Sequence, residues 1–397
     1  MQLERADLFY AEAGWQRLSF LRLTASDGSV GWSEFHEGFA AGLGGVVRAL
    51  AHSVLGSDPR EIAGLTAVLR ARGRAVAGGL HTWASAAIEN ACLDLKARHF
   101  KVPVVELLGG AVRRAFPTYW SHCGLYRIRR PDLFEPRGMI VPRSMADMAR
   151  LAAEVGARGH AALKTNLLSF TASGAGQAWM PGFARSAGYP ALHVDAGVVR
   201  AAVELVAALK AGAPEVGRMI DLNHNCKPEG ARRIAEAIGG ELEWLEIDGV
   251  DPDSLAWLRS HSHAPIASLE AIYGRQAMLP YLQARAVDVA IIDPMWNGLT
   301  EALRMAVLAD TFDVNVASHL YSGELAKAMC AHLCAAIPNL RIMELDVDTA
   351  EGSEALCIGK VPVVAGEAHL PDGPGWGVVP DASQLVHAAG VDRGPAQ

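Results

Sequence analysis

Cysteine pairs, basic runs and long apolar runs are all missing from this chain of 397 residues. Its six cysteines form no C-x-x-C motif, so the usual signature of a zinc ribbon or a dithiol redox site is missing. The net charge is −7, and no block of lysines and arginines suited to a phosphate backbone occurs, so we expect no nucleic-acid partner. No window reaches about 18 uncharged apolar residues, so we expect no membrane span.

The first residues also lack the basic and then apolar pattern of a secretory signal peptide, because Glu4 and Asp7 stand there. We therefore expect a cytoplasmic protein, in which the cysteines are buried free thiols. The chain is 51% hydrophobic and only 20% charged, a composition that suits an α/β enzyme with a large core.

One local basic cluster, "YRIRRPDLFEPR", carries Arg127, Arg129, Arg130 and Arg137. Such a cluster is usually a solvated loop. The alternative is a rim that attracts acidic small molecules.

Residues 1–115 have the pattern of a small α+β domain. Ser-Asp-Gly at 26–28 joins two strand-like runs, as in a hairpin, and helical patterns follow at 45–56, 60–73 and 80–99. The tail at 362–397 is rich in glycine and proline and has no helical period. We expect this tail to fold back and complete the first domain.

Residues 116–361 alternate short apolar runs with helical patterns, which indicates parallel strands covered on both faces. The eight strand-like runs are "PTYWSHCG", "AALKTN", "RMIDLNHN", "LEWLEID", "PIASLE", "DVAIID", "VNVASHL" and "LRIMELD". Eight such units predict a (β/α)₈ barrel rather than a doubly wound sheet. A Ser- and Gly-rich stretch at 169–190 is predicted to be a long loop with a functional role or high mobility.

Three acidic residues follow consecutive strands at intervals of about 25 residues: Asp221, Glu246 and Glu270. An acid at one strand end is usually a turn or cap residue. Three carboxylates at one barrel mouth, however, repel one another unless a cation joins them. Because oxygen ligands favour Mg²⁺, we expect these three residues to bind it.

Other polar residues end the remaining strands. Asp293 and His319 end neighbouring strands, where the carboxylate can fix the histidine tautomer and make a general base, although a lone histidine is as often a core residue. Lys164 ends the second strand, and a nearby cation should lower its pKa. Glu344, if protonated, could donate a hydrogen bond to a substrate oxygen. Together these groups suggest removal of a proton next to a carboxylate.

With these motifs the chain resembles the enolase superfamily, in its mandelate racemase subgroup. The resemblance rests on the three carboxylates and on four motifs: "IIDPMWNGLTEA" with Asp293, "NVASHL" with His319, "RIMELD" with Glu344 and "LKTN" with Lys164. It implies a modified TIM barrel, (β/α)₇β, with an α+β N-terminal capping domain. It also implies Mg²⁺ as cofactor and a homo-oligomer, either a dimer or an octamer.

The sequence departs from the subgroup at several positions. Asn166 replaces the second lysine of a Lys-x-Lys motif, and an amide cannot take a proton at neutral pH, which disfavours a racemase with two bases. Asn223 stands where some sugar-acid dehydratases have a histidine. The segments "LEID" and "WNG" also differ from the usual patterns. We interpret Asn166 and Asn223 as substrate-binding residues.

The favoured hypothesis is therefore an Mg²⁺-dependent dehydratase that converts a sugar acid into a 2-keto-3-deoxy acid. His319 would remove the α-proton, His319 or Lys164 would act as the acid, and the segment Tyr10–Trp15 with cleft arginines would set specificity. A sugar-lactone cycloisomerase and an epimerase that uses Lys164 and His319 remain alternatives. A catalytically silent barrel that binds a small acid is a third.

Overall fold

The computed structural model describes residues 1–75, 78–183 and 191–393. The chain begins with an antiparallel sheet followed by three helices that pack on it. The strands are β1 (Leu3–Ala13), β2 (Gln16–Ala25) and β3 (Val30–Phe35), and the helices are α1 (Leu43–His52), α2 (Ile62–Arg72) and α3 (Gly79–Phe100). The predicted hairpin at 26–28 joins β2 to β3, whereas β1 has no counterpart in the sequence analysis.

A closed barrel of eight parallel strands follows. The strands from here are β4 (Ala115–Ser121), β5 (Ala162–Thr165), β6 (Leu168–Phe170), β7 (Gly176–Ala178), β8 (Gly217–Asp221), β9 (Trp244–Glu246), β10 (Ile266–Ser268), β11 (Val289–Ile292), β12 (Asn315–Ser318) and β13 (Leu340–Asp346). β6 and β7 form a separate hairpin. The other eight pair in chain order, and β13 pairs with β4 to close the barrel. All eight predicted strands are therefore confirmed.

Helices cover the outside of the barrel. They are α4 (Leu125–Arg129), α5 (Pro131–Phe134), α6 (Met145–Ala157), α7 (Ala196–Gly212), α8 (Pro228–Ile238), α9 (Pro252–Ser260), α10 (Arg275–Gln283), α11 (Pro294–Asn297), α12 (Leu299–Thr311) and α13 (Glu324–Ala336). Within the described ranges a helix follows each of the first seven barrel strands, whereas the tail follows the eighth. This is the predicted (β/α)₇β architecture with an α+β N-terminal domain.

Apolar side chains fill the barrel, so its interior is a packed core rather than a channel. Every barrel strand contributes at least one buried residue to this filling: Tyr119, Ala162, Met219, Trp244, Ala267, Val289, Ile291, Ala317 and Ile342. These apolar side chains close the barrel below the carboxyl ends of the strands. The residues at the carboxyl ends therefore line the base of a cavity that is open to one side.

Buried polar residues of the N-terminal domain, among them Glu34 and Asn90, hydrogen-bond to the barrel. Glu34 of β3 accepts hydrogen bonds from the backbone N–H groups of Gly323 (2.6 Å) and Ala326 (3.0 Å) at the start of α13. Asn90 of α3 donates to the carbonyl of Pro294 and accepts from the N–H of Leu299, each at 3.0 Å. These bonds fix the segments that follow β11 and β12.

The tail folds back as expected. It contains β14 (Cys357–Ile358), β15 (Val363–Val364), β16 (Glu367–His369), β17 (Val379–Pro380) and β18 (Val386–Asp392). β16 pairs with the barrel strand β4, and β18 adds to the edge of the N-terminal sheet beside β1. The tail therefore contacts both parts. The domain division at 1–115, 116–361 and 362–397 stays a prediction, and residues 394–397 lie outside the described ranges.

The loop expected at 169–190 and the expected free cysteines can be compared with the structure. The loop expected at 169–190 contains the hairpin β6–β7 and a short 3₁₀ turn at Pro181–Phe183, and its residues 184–190 lie outside the described part of the chain. All six cysteines are free thiols. No helix in the described ranges is both long and apolar enough to cross a membrane.

His332 of α13 links the barrel to the first domain and the tail. Its Nδ1 accepts a hydrogen bond from the N–H of Val105 at 3.0 Å, and its Nε2 lies 3.3 Å from the carbonyl of Trp376. Nδ1 must therefore be unprotonated and Nε2 the donor. Burial lowers the pKa of His332 from its ordinary 6.5 to about 4.

We expect the free energy of unfolding to fall as pH drops from about 6.5 to 4. In this range His332 binds a proton in the unfolded chain but stays neutral in the folded protein, so protonation favours unfolding. His332→Gln should remove part of this pH dependence. At pH 7.5 it should also cost about 1–3 kcal/mol, because the N–H of Val105 loses its acceptor. Urea unfolding at several pH values measures both effects, with the exposed His99→Gln as control. An unchanged pH profile in His332→Gln would contradict this assignment.

Candidate active site

A layer of polar residues lies directly above the apolar filling of the barrel. Each residue follows a filling residue of its own strand by two positions, and strand residues two apart share one face. The members of this layer are Ser121, Lys164, Asp221, Glu246, Asp293, His319 and Glu344. On β10 the backbone turns at Leu269, whose φ is +93°, and Glu270 rather than Leu269 lines the cavity. The cavity has a volume of about 500 Å³.

Lys164 is the buried cation of this layer, with a side chain that is 3% exposed. Its Nζ lies 2.9 Å from Glu344 Oε1, 3.0 Å from Glu246 Oε1 and 3.6 Å from Asp221 Oδ2. Burial would lower the pKa of Lys164, but Glu246 and Glu344 raise it well above its ordinary value. The carboxylates around Lys164 therefore stabilise its charged form, and the expected lowering of its pKa by a nearby cation stays a prediction.

Glu344 has three neighbours that favour its charged form. It accepts hydrogen bonds from Ser121 Oγ and from the N–H of Leu320 (2.8 Å), in addition to the ion pair with Lys164. Burial would raise the pKa of Glu344, but Lys164 and His319 lower it to about 2. The lowered pKa favours Glu344 as a hydrogen-bond acceptor, and donation by a protonated Glu344 stays a prediction.

Three carboxylates converge at the ends of β9 and β10. Oxygens of Glu246, Asp248 and Glu270 all lie within 4.8 Å of one another. Burial raises the pKa of Glu246 to about 8 and that of Asp248 to about 6, and it raises the pKa of Glu270 well above its ordinary range. These shifts reflect the difficulty of holding several negative charges in a buried cluster.

Asp248 is the member of this cluster that the predicted ligand set omits. Its Oδ1 accepts from Ser268 Oγ (3.1 Å) and from the N–H of Leu269 (3.0 Å), which fixes the turn before Glu270. Its Oδ2 is buried without a hydrogen-bond partner among the described residues. The position of Asp248 two residues after Glu246 was the signal available in the sequence.

Asp221 lies beside this cluster, toward Lys164. Its Oδ1 accepts from the N–H of Asn223 at 2.7 Å. Asn166 donates to the carbonyl of Asp221 (3.1 Å) and to Oδ1 of Asn223 (2.9 Å). Both asparagines line the cavity, so the structure brings the predicted substrate-binding pair together next to Asp221.

His319 and Asp293 form the expected pair at the ends of β12 and β11. Nδ1 of His319 lies 2.6 Å from Asp293 Oδ2, while Asp293 Oδ1 accepts from the N–H groups of Met295 and Trp296. Nε2 of His319 lies 3.3 Å from Glu270 Oε2. Burial would lower the pKa of His319, but Glu270 and Asp293 raise it to about 10. The fixed Asp293 leaves Nε2 as the nitrogen turned toward the carboxylate cluster.

The upper wall of the cavity is aromatic. Tyr126, Tyr321, Trp296 and Phe39 line it, and Phe39 comes from the N-terminal domain. The segment Tyr10–Trp15, expected to set specificity, does not line this cavity in the described part of the chain. Trp15 instead packs behind Tyr126, with ring centroids 4.6 Å apart.

The four arginines of the basic cluster have different surroundings. Arg127 is buried in ion pairs with Asp348 (2.9 Å) and Glu154 (3.0 Å), which makes it structural. Arg129 lines the cavity. Arg130 pairs with Asp132 at 2.8 Å, and Arg137 donates to the carbonyl of Thr349. Only Arg129 among the four fits the interpretation of a rim that attracts acids.

A second histidine in the cavity was not singled out from the sequence. His122 directly follows β4 and lines the cavity with its Nδ1 2.7 Å from Asp346 Oδ1. The sequence signal was weak, because a histidine one position after an inward-facing serine is expected to face outward. Its φ of +50° departs from that regular alternation.

Comparison with known proteins places these features in a family. Residues 147–384 match the model of the enolase C-terminal domain-like family. Residues 9–109 match that of the mandelate racemase / muconate lactonizing enzyme N-terminal domain.

The full-length relatives carry several names. A D-galactarolactone cycloisomerase of Agrobacterium fabrum is 27% identical over 90% of this chain and 87% of its own. A D-galactonate dehydratase of Xanthomonas axonopodis pv. citri is 27% identical over 98% of this chain and 94% of its own.

Among solved structures, a protein of Burkholderia xenovorans strain LB400, provisionally named an L-alanine-DL-glutamate epimerase, is 39% identical with a TM-score of 0.92 over 97% of both chains. A second structure of that name contains magnesium and fumarate, with 39% identity and a TM-score of 0.92 over 96% of this chain and 94% of that one. Both family models, the barrel with its N-terminal domain and the polar layer at the strand ends agree: this chain belongs to the enolase superfamily, in the group of mandelate racemase and muconate lactonizing enzyme.

Proposed function

We propose that this protein is an Mg²⁺-dependent dehydratase that converts a sugar acid into a 2-keto-3-deoxy acid. The observation that carries the proposal is the unequal chemistry of two walls of the cavity. On one wall, His319 is held by Asp293 with Nε2 toward the cluster. On the other, Lys164 is engaged by three carboxylates and Asn166 is an amide. Dehydration needs only one base, and this arrangement offers one.

The relatives support the same class of chemistry. Dehydratases and a lactone cycloisomerase of sugar acids are similar over nearly the whole chain. The Burkholderia structure is bound to magnesium and fumarate, which supports a site for a metal and a small carboxylate in this chain. A cavity of about 500 Å³ is large enough for a six-carbon acid.

The carboxylate cluster fits a divalent cation. Glu246, Asp248 and Glu270 supply oxygen ligands within 4.8 Å of one another, and the unpartnered Oδ2 of Asp248 lacks the hydrogen bond that a buried oxygen normally has. Asp221 at the edge of the cluster completes the set proposed from the sequence. Mg²⁺ bound there would stabilise negative charge on the substrate carboxylate as the α-proton leaves.

The residues of the chain would then divide the work. The charge of Glu270, which raises the pKa of His319, would be compensated by the cation that Glu270 helps to bind. A neutral His319 would then take the α-proton on Nε2, and Asp293 would stabilise the resulting imidazolium through Nδ1. Lys164 stabilises the charge of Glu246 and Glu344 and lies where it can contact the substrate carboxylate. Asn166 and Asn223 hydrogen-bond hydroxyl groups. The aromatic wall with Phe39 excludes water from the reacting carbons.

Two isomerase functions are the alternatives. A lactone cycloisomerase could also work with His319 alone, and the Agrobacterium relative favours it. An epimerase would need Lys164 as a second base, which its three carboxylate neighbours disfavour. Cytoplasmic localisation and assembly as a dimer or octamer stay predictions from the sequence.

Asp248→Asn should weaken Mg²⁺ binding about tenfold or more, because the cluster loses a charged ligand oxygen. Isothermal titration calorimetry with Mg²⁺ alone measures the change without any substrate. The exposed Asp253→Asn, on the same β/α unit, is the matched control. Equal affinity in Asp248→Asn and the wild type would exclude Asp248 as a ligand.

A panel of aldonic acids, aldaric acids and their lactones, each incubated with enzyme and Mg²⁺, should yield a semicarbazide-positive 2-keto acid from at least one member. His319→Asn should lower this rate by a factor of about 10² to 10⁴, because the general base is lost. The exposed His52→Asn should retain the wild-type rate.

Other results of the same panel identify the alternatives. Deuterium uptake at the α-carbon in D₂O without any keto acid indicates an epimerase. Conversion of a lactone without loss of water indicates a cycloisomerase. Full activity of His319→Asn on the identified substrate would contradict the assigned base.

A further inference from the structure

His122 and Asp346 form a second histidine–aspartate pair in the same cavity as His319 and Asp293. The two pairs have similar geometry, since Nδ1 lies 2.7 Å from an aspartate oxygen in one and 2.6 Å in the other. His122 is largely enclosed, with 16% of its side chain exposed. Its function is not explained by the roles assigned above.

The contacts of His122 fix which nitrogen is available. Asp346 Oδ1 engages Nδ1 at 2.7 Å, and Ser121 Oγ lies 3.2 Å from the same nitrogen. Among the described residues no hydrogen bond engages Nε2. An aspartate at Nδ1 stabilises the imidazolium and directs its other N–H to the opposite side of the ring.

Aromatic contacts hold the ring in place. The His122 ring stacks on Tyr126, with centroids 4.9 Å apart and planes 28° apart, and Tyr321 packs edge-on at 5.3 Å. The backbone of His122 adopts a left-handed φ of +50°, which non-glycine residues avoid unless the surroundings impose it. That conformation brings the histidine into the cavity wall instead of the outer face of the barrel.

The topology sets His122 across the mouth from the carboxylate cluster. Barrel order is β4-β5-β8-β9-β10-β11-β12-β13, so β4, which carries His122, lies opposite β10, which precedes Glu270. Asp346 pairs in register with Ser121 and lies one inward position beyond Glu344, nearer the mouth. A substrate whose carboxylate is held at the cluster would extend its next carbons toward His122.

We propose that His122, positioned by Asp346, is the general acid that protonates the leaving hydroxyl of the substrate. This proposal rests on the dehydratase function proposed above. The α C–H bond breaks and its proton passes to Nε2 of His319, while the electron pair forms the C2=C3 bond. The C3–O bond breaks, and the proton on Nε2 of His122 passes to the departing oxygen, which leaves as water. The enol then takes a solvent proton at C3 and becomes the 2-keto-3-deoxy acid.

The surroundings of Lys164 and His319, the other two candidates for the general acid, make each of them less suited to that role than His122. Lys164 is 2.9–3.6 Å from three carboxylates, which occupy its protons. His319 stands beside Glu270, at the cluster end of the cavity. Nε2 of His122 has no hydrogen-bond partner in the described part of the chain, and the histidine lies on the far wall, where the C3 hydroxyl would lie.

The test compares two leaving groups on the sugar acid that the panel identifies: the natural 3-hydroxyl and a 3-deoxy-3-fluoro analogue. Fluoride departs without full protonation, so it needs a general acid far less than hydroxide does. His122→Asn should lower keto-acid formation from the hydroxy acid by about 10² or more. Fluoride release from the analogue should stay within a few-fold of wild type. His319→Asn should lose both reactions, and the exposed His52→Asn should lose neither.

The leaving-group comparison separates catalysis from folding. If His122→Asn lowers both reactions equally, His122 has a structural or binding role and the proposal fails. If His122→Asn dehydrates the hydroxy acid at the wild-type rate, the proposal fails while the dehydratase function stands. If the wild type forms no keto acid from any sugar acid, the dehydratase function fails first, and the role of His122 with it.

Discussion

The ion pairs of Lys164 are the constraint on which the rest of the site depends. A barrel mouth that gathers Asp221, Glu246 and Glu344 in a buried layer has to compensate their repulsion, and a single ammonium group contacts all three. Glu246 also belongs to the cluster with Asp248 and Glu270, so one carboxylate joins two charge systems. Lys164 compensates the negative charge on the side of the layer toward β5 and β13. On the side toward β10, the charge of the carboxylate cluster would be compensated by a divalent cation. The burial of Lys164 is therefore an electrostatic requirement of this layer.

The regular part of this arrangement could be predicted from the sequence because strands have a period of two. Once the eight strands are recognised, a polar residue two positions beyond an apolar filling residue must enter the mouth, as Lys164 and His319 do. The charge states could not be predicted in this way. A sequence contains no distances, and the lowered pKa of Glu344 depends on a lysine 2.9 Å away that is 180 positions distant in the chain. His122 was missed because the regular alternation of strand residues does not predict a left-handed backbone. Leu269 and His122 both have a left-handed φ. At Leu269 this conformation brings the next residue, Glu270, into the cavity, and at His122 it brings the histidine itself into the cavity wall.

The N-terminal domain and the tail support the chemistry indirectly. Asn90 fixes the segment after Asp293, and Glu34 fixes the start of the helix after His319, so the wall that carries His319 is held from outside the barrel. Trp376 of the tail donates through Nε1 to the carbonyl of Trp32 at 2.9 Å, which ties the tail to β3. Among the described residues of the first domain, Phe39 and Gly38 are the ones that line the cavity. In the first domain, Asn90 and Glu34 thus hold the barrel loops in place, whereas Phe39 and Gly38 line the cavity. No local motif marks the bracing residues, because their partners are more than 200 positions away.

The two histidine–aspartate pairs lie at different positions along the cavity relative to the carboxylate cluster. His319 stands beside the carboxylate cluster, where the α-carbon of a bound acid would lie, and His122 stands on the opposite wall under an aromatic cover. A racemase would place its two bases on either side of one carbon atom. Here the second histidine follows β4, on the side of the mouth opposite β10, and the second strand, across from His319, carries Asn166 and an ion-paired Lys164. Acid and base separated along the substrate suit the removal of a proton from one carbon and a hydroxyl from the next. The asparagine in "LKTN" and the histidine after β4 therefore favour the same reaction from two independent positions.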